Sequence, residues 1–324
     1  MREPWREDIL GPGFAQRTLD LGRDDGEPVV ATLVRHLPTA FARLTGSWRD
    51  VDVLYVHGWS DYFFQTELAE FWTDRGARFF ALDLRRYGRS LRADQRPGDV
   101  HSLDDYDLDI AAALAAIAEG LPSPRRLVLL GHSTGGLTLT LWAARHPGRA
   151  AALILNSPWL EFQLGPVGRQ ALTPLINARA RIDPLGPHPV VDLGFYTRAQ
   201  REVGSLPDAP EGWRPERGFA THPRWLAAVI DGHRRIADGV DVGCPALVLL
   251  SSRSTPPTRW LPDMTRTDSV LVVDDIARAA TRIGALVTLA RIDGALHDVF
   301  LSADAARHDA YAVMARWADG LPRG

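Results

Sequence analysis

Lysine is absent from this chain of 324 residues, so all 37 residues of the lysine and arginine class are arginine. A phosphate-binding loop needs a lysine after its glycines, a Schiff-base enzyme needs a lysine amine, and a protein kinase needs its strand lysine. The missing lysine therefore excludes these three classes of protein.

Cysteine is almost as rare, because Cys244 is the only one in the chain. A single thiol cannot form a disulfide within the chain, and it cannot build a thiolate metal cluster. Cys244 precedes Pro245 at the start of an apolar run, which predicts a buried structural thiol.

Signals for membranes and nucleic acids are also lacking. Residues 1–20 are charged and contain no apolar core segment, so they do not resemble a secretory signal. No hydrophobic run approaches the length of a membrane span. The net charge of −3 argues against nucleic acid as the main partner. We therefore expect a cytoplasmic protein with no membrane span, and its oligomeric state is not predicted.

Short aliphatic runs, each ended by a turn signal, predict seven strands. They lie at 29–35, 51–56, 79–84, 127–130, 152–155, 246–250 and 286–292. Helical patterns fall between most of them, at 64–72, 104–118, 137–145, 275–283 and 303–318. Strands that alternate with helices predict an α/β fold, in which a mostly parallel, doubly wound sheet is covered on both faces.

The alternation stops between Trp159 and Gly243, where prolines and aromatic residues are scattered. Loops of this length are seldom bare connections. We therefore predict a lid (cap) insertion at 159–243, between the two parts of the core at 1–158 and 244–324. Its aromatic residues predict an apolar roof over a pocket. They include Phe162, Phe195, Tyr196, Trp213, Phe219 and Trp225.

The strand at 127–130 runs directly into Gly-His-Ser-Thr-Gly-Gly at 131–136, and an Ala/Leu-rich helical segment follows. Such a strand–turn–helix places Ser133 at a sharp bend, where small neighbours are needed on both sides. A plain glycine turn is the alternative interpretation. The flanking strand and helix favour a nucleophile elbow, in which the N–H groups of the following helix point towards a developing anion.

A serine nucleophile needs a base, and ten histidines are available. His297 differs from the others because it follows the last apolar strand across a short turn and precedes the final helix. The carboxyl ends of parallel strands converge on one edge of a sheet, where ligands bind. We therefore predict His297 as the base.

The acid that orients the base is less clear from the residues. The strand at 246–250 should carry it just beyond its end, but residues 251–255 contain no carboxylate. Asp268 lies in a polar loop further on and is favoured, while Asp274 and Asp263 remain alternatives. Glu161 is a more remote candidate.

The oxyanion donors are expected to be backbone N–H groups. Thr134, the residue after the nucleophile, supplies one, and Trp59, in the loop after the strand at 51–56, supplies the other. The residues around these loops are predicted to form the substrate pocket. They are His57, Gly58, Tyr62, Phe63, His132 and Trp159.

Five motifs together resemble the α/β-hydrolase superfamily, and within it the branch of lysophospholipases, monoacylglycerol lipases and serine-aminopeptidase-like hydrolases. The motifs lie at 57–59, 82–90, 131–136, 268–271 and 294–298. The resemblance covers nearly the whole chain and implies the α/β-hydrolase fold. It also implies Ser133, Asp268 and His297 as nucleophile, acid and base, with Trp59 and Thr134 as oxyanion donors. The chain departs from the family where Thr134 replaces a methionine and where Asp268 follows an insertion.

These residues predict a serine hydrolase that cleaves a carboxylic ester with an apolar acyl or aryl group through an acyl-enzyme. The expected partner is a small-molecule ester such as a lysophospholipid, a monoacylglycerol or an aryl ester, and no metal or organic cofactor is required. A thioester, a lactone or a peptide bond stays open as the substrate. A non-hydrolytic enzyme and a ligand-binding protein on the same fold are the alternatives from other classes.

Overall fold

The computed structural model describes residues 3–186 and 193–321, and the strands in this part of the chain form one nine-stranded sheet. The strands are β1 (Arg6–Glu7), β2 (Phe14–Asp24), β3 (Glu27–His36), β4 (Val51–Val56), β5 (Arg78–Asp83), β6 (Arg126–His132), β7 (Ala152–Asn156), β8 (Ala246–Ser251) and β9 (Val287–Ile292). Their order is β1-β2-β3-β5-β4-β6-β7-β8-β9. From β5 to β9 all neighbours pair in parallel, whereas β1, β2 and β3 add an antiparallel end.

The helices follow most of the parallel strands. They are α1 (Ala40–Thr45), α2 (Thr66–Thr73), α3 (Tyr106–Ala118), α4 (Thr134–Arg145), α5 (Gly165–Ile182), α6 (Phe195–Glu202), α7 (Pro223–Asp238), α8 (Val273–Ala280) and α9 (Asp304–Asp319). None of the helices in residues 3–186 and 193–321 is long and apolar enough to cross a membrane.

Alternate residues of the central strands point into two separate apolar cores. On β4, Leu54 and Val56 join one core, whereas Val53 and Tyr55 join the other. Side chains of a strand alternate between faces, so the two cores lie on opposite sides of the sheet. The predicted mostly parallel sheet, covered on both faces, is confirmed.

Two strands were not predicted from the sequence. On β2, Leu19 and Leu21 are buried, but Asp20 between them is exposed. A strand near the antiparallel end of a sheet buries only one face, so its sequence alternates instead of forming an aliphatic run. The strand β1 is too short, at 2 residues, to give a pattern.

The segment between β7 and β8, predicted as the lid, contains the three helices α5, α6 and α7. Two of its prolines, Pro166 and Pro223, stand in the first turns of α5 and α7, whereas Pro174 lies inside α5. A proline in the first turn loses no helical hydrogen bond. Residues 187–192 of this segment lie outside the described part of the chain.

Candidate active site

Ser133 joins β6 to α4 in a strained backbone conformation, with φ 52° and ψ −118°. Positive φ is unfavourable for a residue with a Cβ and typically costs about 1–3 kcal/mol. The glycines beside the bend are required by contact: a Cβ on Gly135 would lie 2.3 Å from the backbone oxygen of His57. The sharp turn predicted between the strand and the helix is therefore present in the backbone.

The loop after β4, residues 57–61, packs directly on the bend at Ser133 and is called the oxyanion loop below, after the role expected of Trp59. A Cβ on Gly58 would lie 3.0 Å from the Cβ of Ser133. Only glycine lets the main chain pass this close without a shift. Trp59, the predicted donor, follows immediately, and its ring lies 3.7 Å from that of Trp225 between centroids.

His57 supports the oxyanion loop through both of its ring nitrogens. Nε2 accepts a hydrogen bond from the N–H of Leu84 at 3.1 Å, and Nδ1 donates to the backbone oxygen of Gly58 at 2.7 Å. Burial lowers the pKa of His57, so the ring is held neutral. With both nitrogens engaged, this residue shapes the loop and has no hydrogen bond left for a ligand.

His297 lies in the loop after β9, residues 293–298, which is called the histidine loop below. Its Nδ1 donates to Oδ2 of Asp268 at 2.9 Å. The other carboxylate oxygen, Oδ1, accepts the N–H groups of Val270 and Leu271 at 2.7 and 2.8 Å. These bonds fix the orientation of the carboxylate and leave one oxygen for the imidazole.

The insertion before Asp268 does not move it away from the sheet edge. Asp268 forms a parallel bridge with Ser254, three residues beyond the end of β8, and its N–H donates to the backbone oxygen of Arg253 at 3.1 Å. The chain between them leaves the sheet and returns to the same edge. Asp268 is thereby placed where a residue directly after β8 would lie.

The other candidate carboxylates are bound by arginines. Asp263 pairs with Arg266 at 2.7 Å, Asp274 with Arg291 at 2.6 Å, and Glu161 with Arg169 at 2.8 Å. The structure therefore brings Asp268, and not these three, to His297.

His132, the residue before Ser133, contacts the histidine loop. Its ring lies 4.9 Å from that of His297 between centroids, and its Nδ1 lies 3.1 Å from the backbone oxygen of Asn156. Burial lowers the pKa of His132 and outweighs the opposing effect of the Asp298 carboxylate. A neutral His132 adds no positive charge beside the imidazole of His297.

The remaining predicted pocket residues divide into two groups. The backbone N–H of Trp159 donates to the backbone oxygen of Ser133 at 3.0 Å, and the indole ring lies 6.0 Å from that of Trp225 between centroids. Tyr62 packs against Trp213 of the predicted lid at 5.2 Å. Phe63 is different, because it is fully buried in the core against Phe79. Phe63 was expected to line the pocket, but the structure places it in the core.

Asn156 and Asp298 were not recognised as site residues from the sequence. Nδ2 of Asn156 donates to Oδ1 of Asp298 at 2.6 Å, and this oxygen also accepts the N–H of Phe300 at 3.0 Å. These bonds tie the end of β7 to the histidine loop. Asn156 could have been suspected from the sequence, because it is a polar residue at the end of the otherwise apolar strand β7.

One cluster in the described residues has ligand atoms close enough for a metal ion, namely Asp24, Asp25 and His101. Arg86 lies 2.8 Å from the carboxylate of Asp24, and Arg224 lies 3.0 Å from that of Asp25. The arginines already neutralise these carboxylates, so the cluster is an ion-pair network at the surface.

Residues 49–304 match the Hydrolase_4 family, described as serine aminopeptidase, S33. Lysophospholipase L2 from Escherichia coli is 35% identical over 140 residues, which are 42% of this chain and 40% of the relative. The match thus spans less than half of that protein.

Solved structures extend the likeness to the whole fold. A soluble variant of monoglyceride lipase from Saccharomyces cerevisiae, in complex with a substrate analog, has a TM-score of 0.65 at 15% identity, with 99% of each chain covered. Monoacylglycerol lipase from Paleococcus ferrophilus has a TM-score of 0.59 at 18% identity and covers 82% of this chain and 93% of its own. At these identities the likeness establishes the fold alone, which is the fold predicted from the sequence motifs.

Proposed function

Because the chain belongs to the Hydrolase_4 family of α/β-hydrolases, we propose that it is a serine hydrolase of carboxylic esters with an apolar acyl or aryl group. The observation that carries this proposal is the buried Asp268–His297 pair at 2.9 Å, on the same sheet edge as the strained Ser133. In the proposed triad Ser133 is the nucleophile, His297 the base and Asp268 the orienting acid.

The proposed reaction begins with proton transfer from the hydroxyl of Ser133 to Nε2 of His297, while the serine oxygen attacks the ester carbonyl. The carbon–oxygen bond to the leaving group then breaks, and His297 gives this proton to the alkoxide of the leaving group, which departs as an alcohol. Water repeats these steps on the acyl-enzyme and releases the acid. Asp268 holds the imidazole with Nδ1 protonated, so that Nε2 is the free base.

The N–H groups of Trp59 and Thr134 are the proposed oxyanion donors. The close approach of Gly58 to Ser133 and the start of α4 at Thr134 support this assignment. Each such donor typically contributes about 2.7–4 kcal/mol of transition-state stabilisation. No step of this reaction requires a metal or an organic cofactor.

The proposed substrate carries an apolar group next to the ester. Between ring centroids, Trp225 lies 3.7 Å from Trp59 and 6.0 Å from Trp159. The ring of Phe219 lies 6.2 Å from that of Trp59. Trp225 and Phe219 belong to residues 159–243, which we propose as the lid. The names of the relatives favour a lysophospholipid or a monoacylglycerol, and a small aryl ester would also make apolar contacts with these rings.

The proposal is tested by replacing Ser133 with alanine and measuring turnover of nitrophenyl esters of increasing acyl length, a lysophospholipid, a monoacylglycerol and an aminoacyl nitroanilide. We expect ester turnover in the wild type and its loss in Ser133→Ala. Ser47→Ala is the matched control, because Ser47 is exposed in the loop between α1 and β4. Unchanged ester turnover in Ser133→Ala, or activity on the anilide alone, would contradict the proposal.

A further inference from the structure

The phenol of Tyr196, on α6, lies against the histidine loop. Its hydroxyl oxygen accepts a hydrogen bond from the backbone N–H of Asp298 at 3.1 Å. Its ring stands at 82° to the imidazole of His297, with 5.5 Å between the centroids. Tyr196 therefore contacts the proposed base through its ring and the next peptide through its oxygen.

A second residue of α6 extends this contact. The buried side chain of Gln200 donates from Nε2 to the hydroxyl of Tyr196 at 3.0 Å, and its Oε1 accepts a hydrogen bond from Arg214. Nε of Arg214 donates in turn to Oδ1 of Asp61 at 3.0 Å. One hydrogen-bonded chain thus joins the histidine loop to the oxyanion loop, and its three middle members belong to the predicted lid.

We infer that Tyr196 is a positioning residue for His297, an inference that rests on the proposed function and adds a residue to its site. The base must direct Nε2 at Ser133 while Nδ1 is held by Asp268. A single hydrogen bond to Asp268 leaves the imidazole free to tilt about it. The ring of Tyr196 limits this tilt from one side, as the ring of His132 does at 4.9 Å.

The hydroxyl of Tyr196 acts on the backbone of the same loop. By accepting the N–H of Asp298, it satisfies the peptide that follows His297 and fixes the point from which the imidazole extends. Burial raises the pKa of Tyr196 well above its usual value, so the hydroxyl stays neutral at working pH. The predicted lid thereby completes the geometry of the base, in addition to any role in covering the substrate.

The test compares Tyr196→Phe, which keeps the ring and removes the oxygen, with Tyr196→Ala, which removes both. We expect kcat to fall about three- to tenfold in Tyr196→Phe, the effect of one lost hydrogen bond, and KM to stay within about twofold. Tyr196→Ala is expected to lose about 10²-fold in kcat, as misplaced catalytic groups do. Tyr311→Phe, the same change on α9, is the control and should leave kcat unchanged.

A second readout separates positioning from folding. The rate at which a fluorophosphonate labels Ser133 is expected to fall in parallel with kcat, because both depend on the base. An unchanged kcat and labelling rate in folded Tyr196→Phe, or a change in KM alone, would overturn the inference while Ser133→Ala remains inactive. Turnover that persists in Ser133→Ala would overturn the proposed function itself, and the inference with it.

Discussion

Nδ1 of His297 donates to Oδ2 of Asp268 at 2.9 Å, and both side chains are buried, at 3% and 0% exposure. The two residues come from loops after neighbouring strands, and the bridge between Asp268 and Ser254 brings the acid back to the sheet edge. In the proposed reaction, this buried hydrogen bond selects the tautomer of the imidazole and stabilises its charged form.

Replacement of the acid gives the first prediction. Asp268→Asn is expected to lower kcat by several orders of magnitude, about 10⁴-fold in triads of this kind, because an amide donor favours the wrong tautomer. The matched controls are Asp263→Asn and Asp274→Asn, whose carboxylates pair with arginines at the surface. Steady-state ester hydrolysis measures all three. A large loss of kcat in either control, with Asp268→Asn fully active, would assign the acid elsewhere.

The second prediction concerns the oxyanion loop. Gly58→Ala adds a Cβ that would lie 3.0 Å from the Cβ of Ser133 and 3.1 Å from Cδ2 of His132. The loop must shift by a few tenths of an ångström, so we expect kcat to fall at least about tenfold, while the free energy of unfolding changes by only about 1 kcal/mol. Gly320→Ala, where the new Cβ meets nothing closer than 3.4 Å, is the control. Wild-type kcat in Gly58→Ala would refute the assigned position of the donor.

The third prediction concerns stability and pH. Burial lowers the pKa of His233 to about 3, and its Nε2 donates to the backbone oxygen of Trp159 at 2.9 Å. The unfolded state takes up a proton below about pH 6.5, whereas the folded state stays neutral until about pH 3. Stability from this residue is therefore complete above pH 6.5 and is lost as pH falls towards 3.

The measurement is urea unfolding at pH 7 and pH 5 for the wild type and His233→Gln. The wild type is expected to lose about 2 kcal/mol more than the variant between these two values, since each pH unit in the window is worth about 1.4 kcal/mol. Other histidines titrate in both proteins and cancel in the difference. Equal losses would show that His233 is not held neutral.

The fourth prediction concerns the pair Asp61–Arg214, in which both side chains are nearly buried, at 8% and 7% exposure. Arg214→Met leaves a buried carboxylate without its partner and is expected to cost about 3 kcal/mol of unfolding free energy. Adding Asp61→Leu should restore part of that loss. Arg198→Met, which breaks an exposed pair with Glu202 at 2.9 Å, is the control and should cost less than about 1 kcal/mol.

The same pair gives a dependence on pH. Burial raises the pKa of Asp61 even beside Arg214. Without the arginine the carboxyl is held still more strongly in its protonated form, so its contribution falls as pH rises above the unfolded value near 3.8. The cost of Arg214→Met is therefore expected to be larger at pH 8 than at pH 5. A cost that is equal at both pH values would contradict a buried, unpaired Asp61.

The turn at Ser133 and the position of His297 after the last strand could be predicted because local patterns determine them. The central strands are continuous aliphatic runs, the elbow requires glycines on both sides of Ser133, and the histidine follows the last parallel strand. The fold and family membership inferred from these motifs are confirmed by the match over residues 49–304.

Contacts between distant segments could not be predicted in the same way. Tyr62 and Phe63 are adjacent aromatic residues, yet Tyr62 meets Trp213 of the predicted lid while Phe63 enters the core. The contact of Tyr196 with His297 depends on how α6 packs over the sheet edge, which no local pattern records. The place of Asp268 likewise depends on its bridge to Ser254, because its distance along the chain from β8 gives no indication of it.

The most direct test of the proposed reaction is to incubate the protein with a fluorophosphonate and locate the adduct by tandem mass spectrometry. We expect one adduct per chain, on the peptide that contains Ser133, and we expect both the adduct and ester turnover to be lost in His297→Gln. An adduct on another residue, or ester turnover that continues after Ser133 is fully labelled, would contradict it.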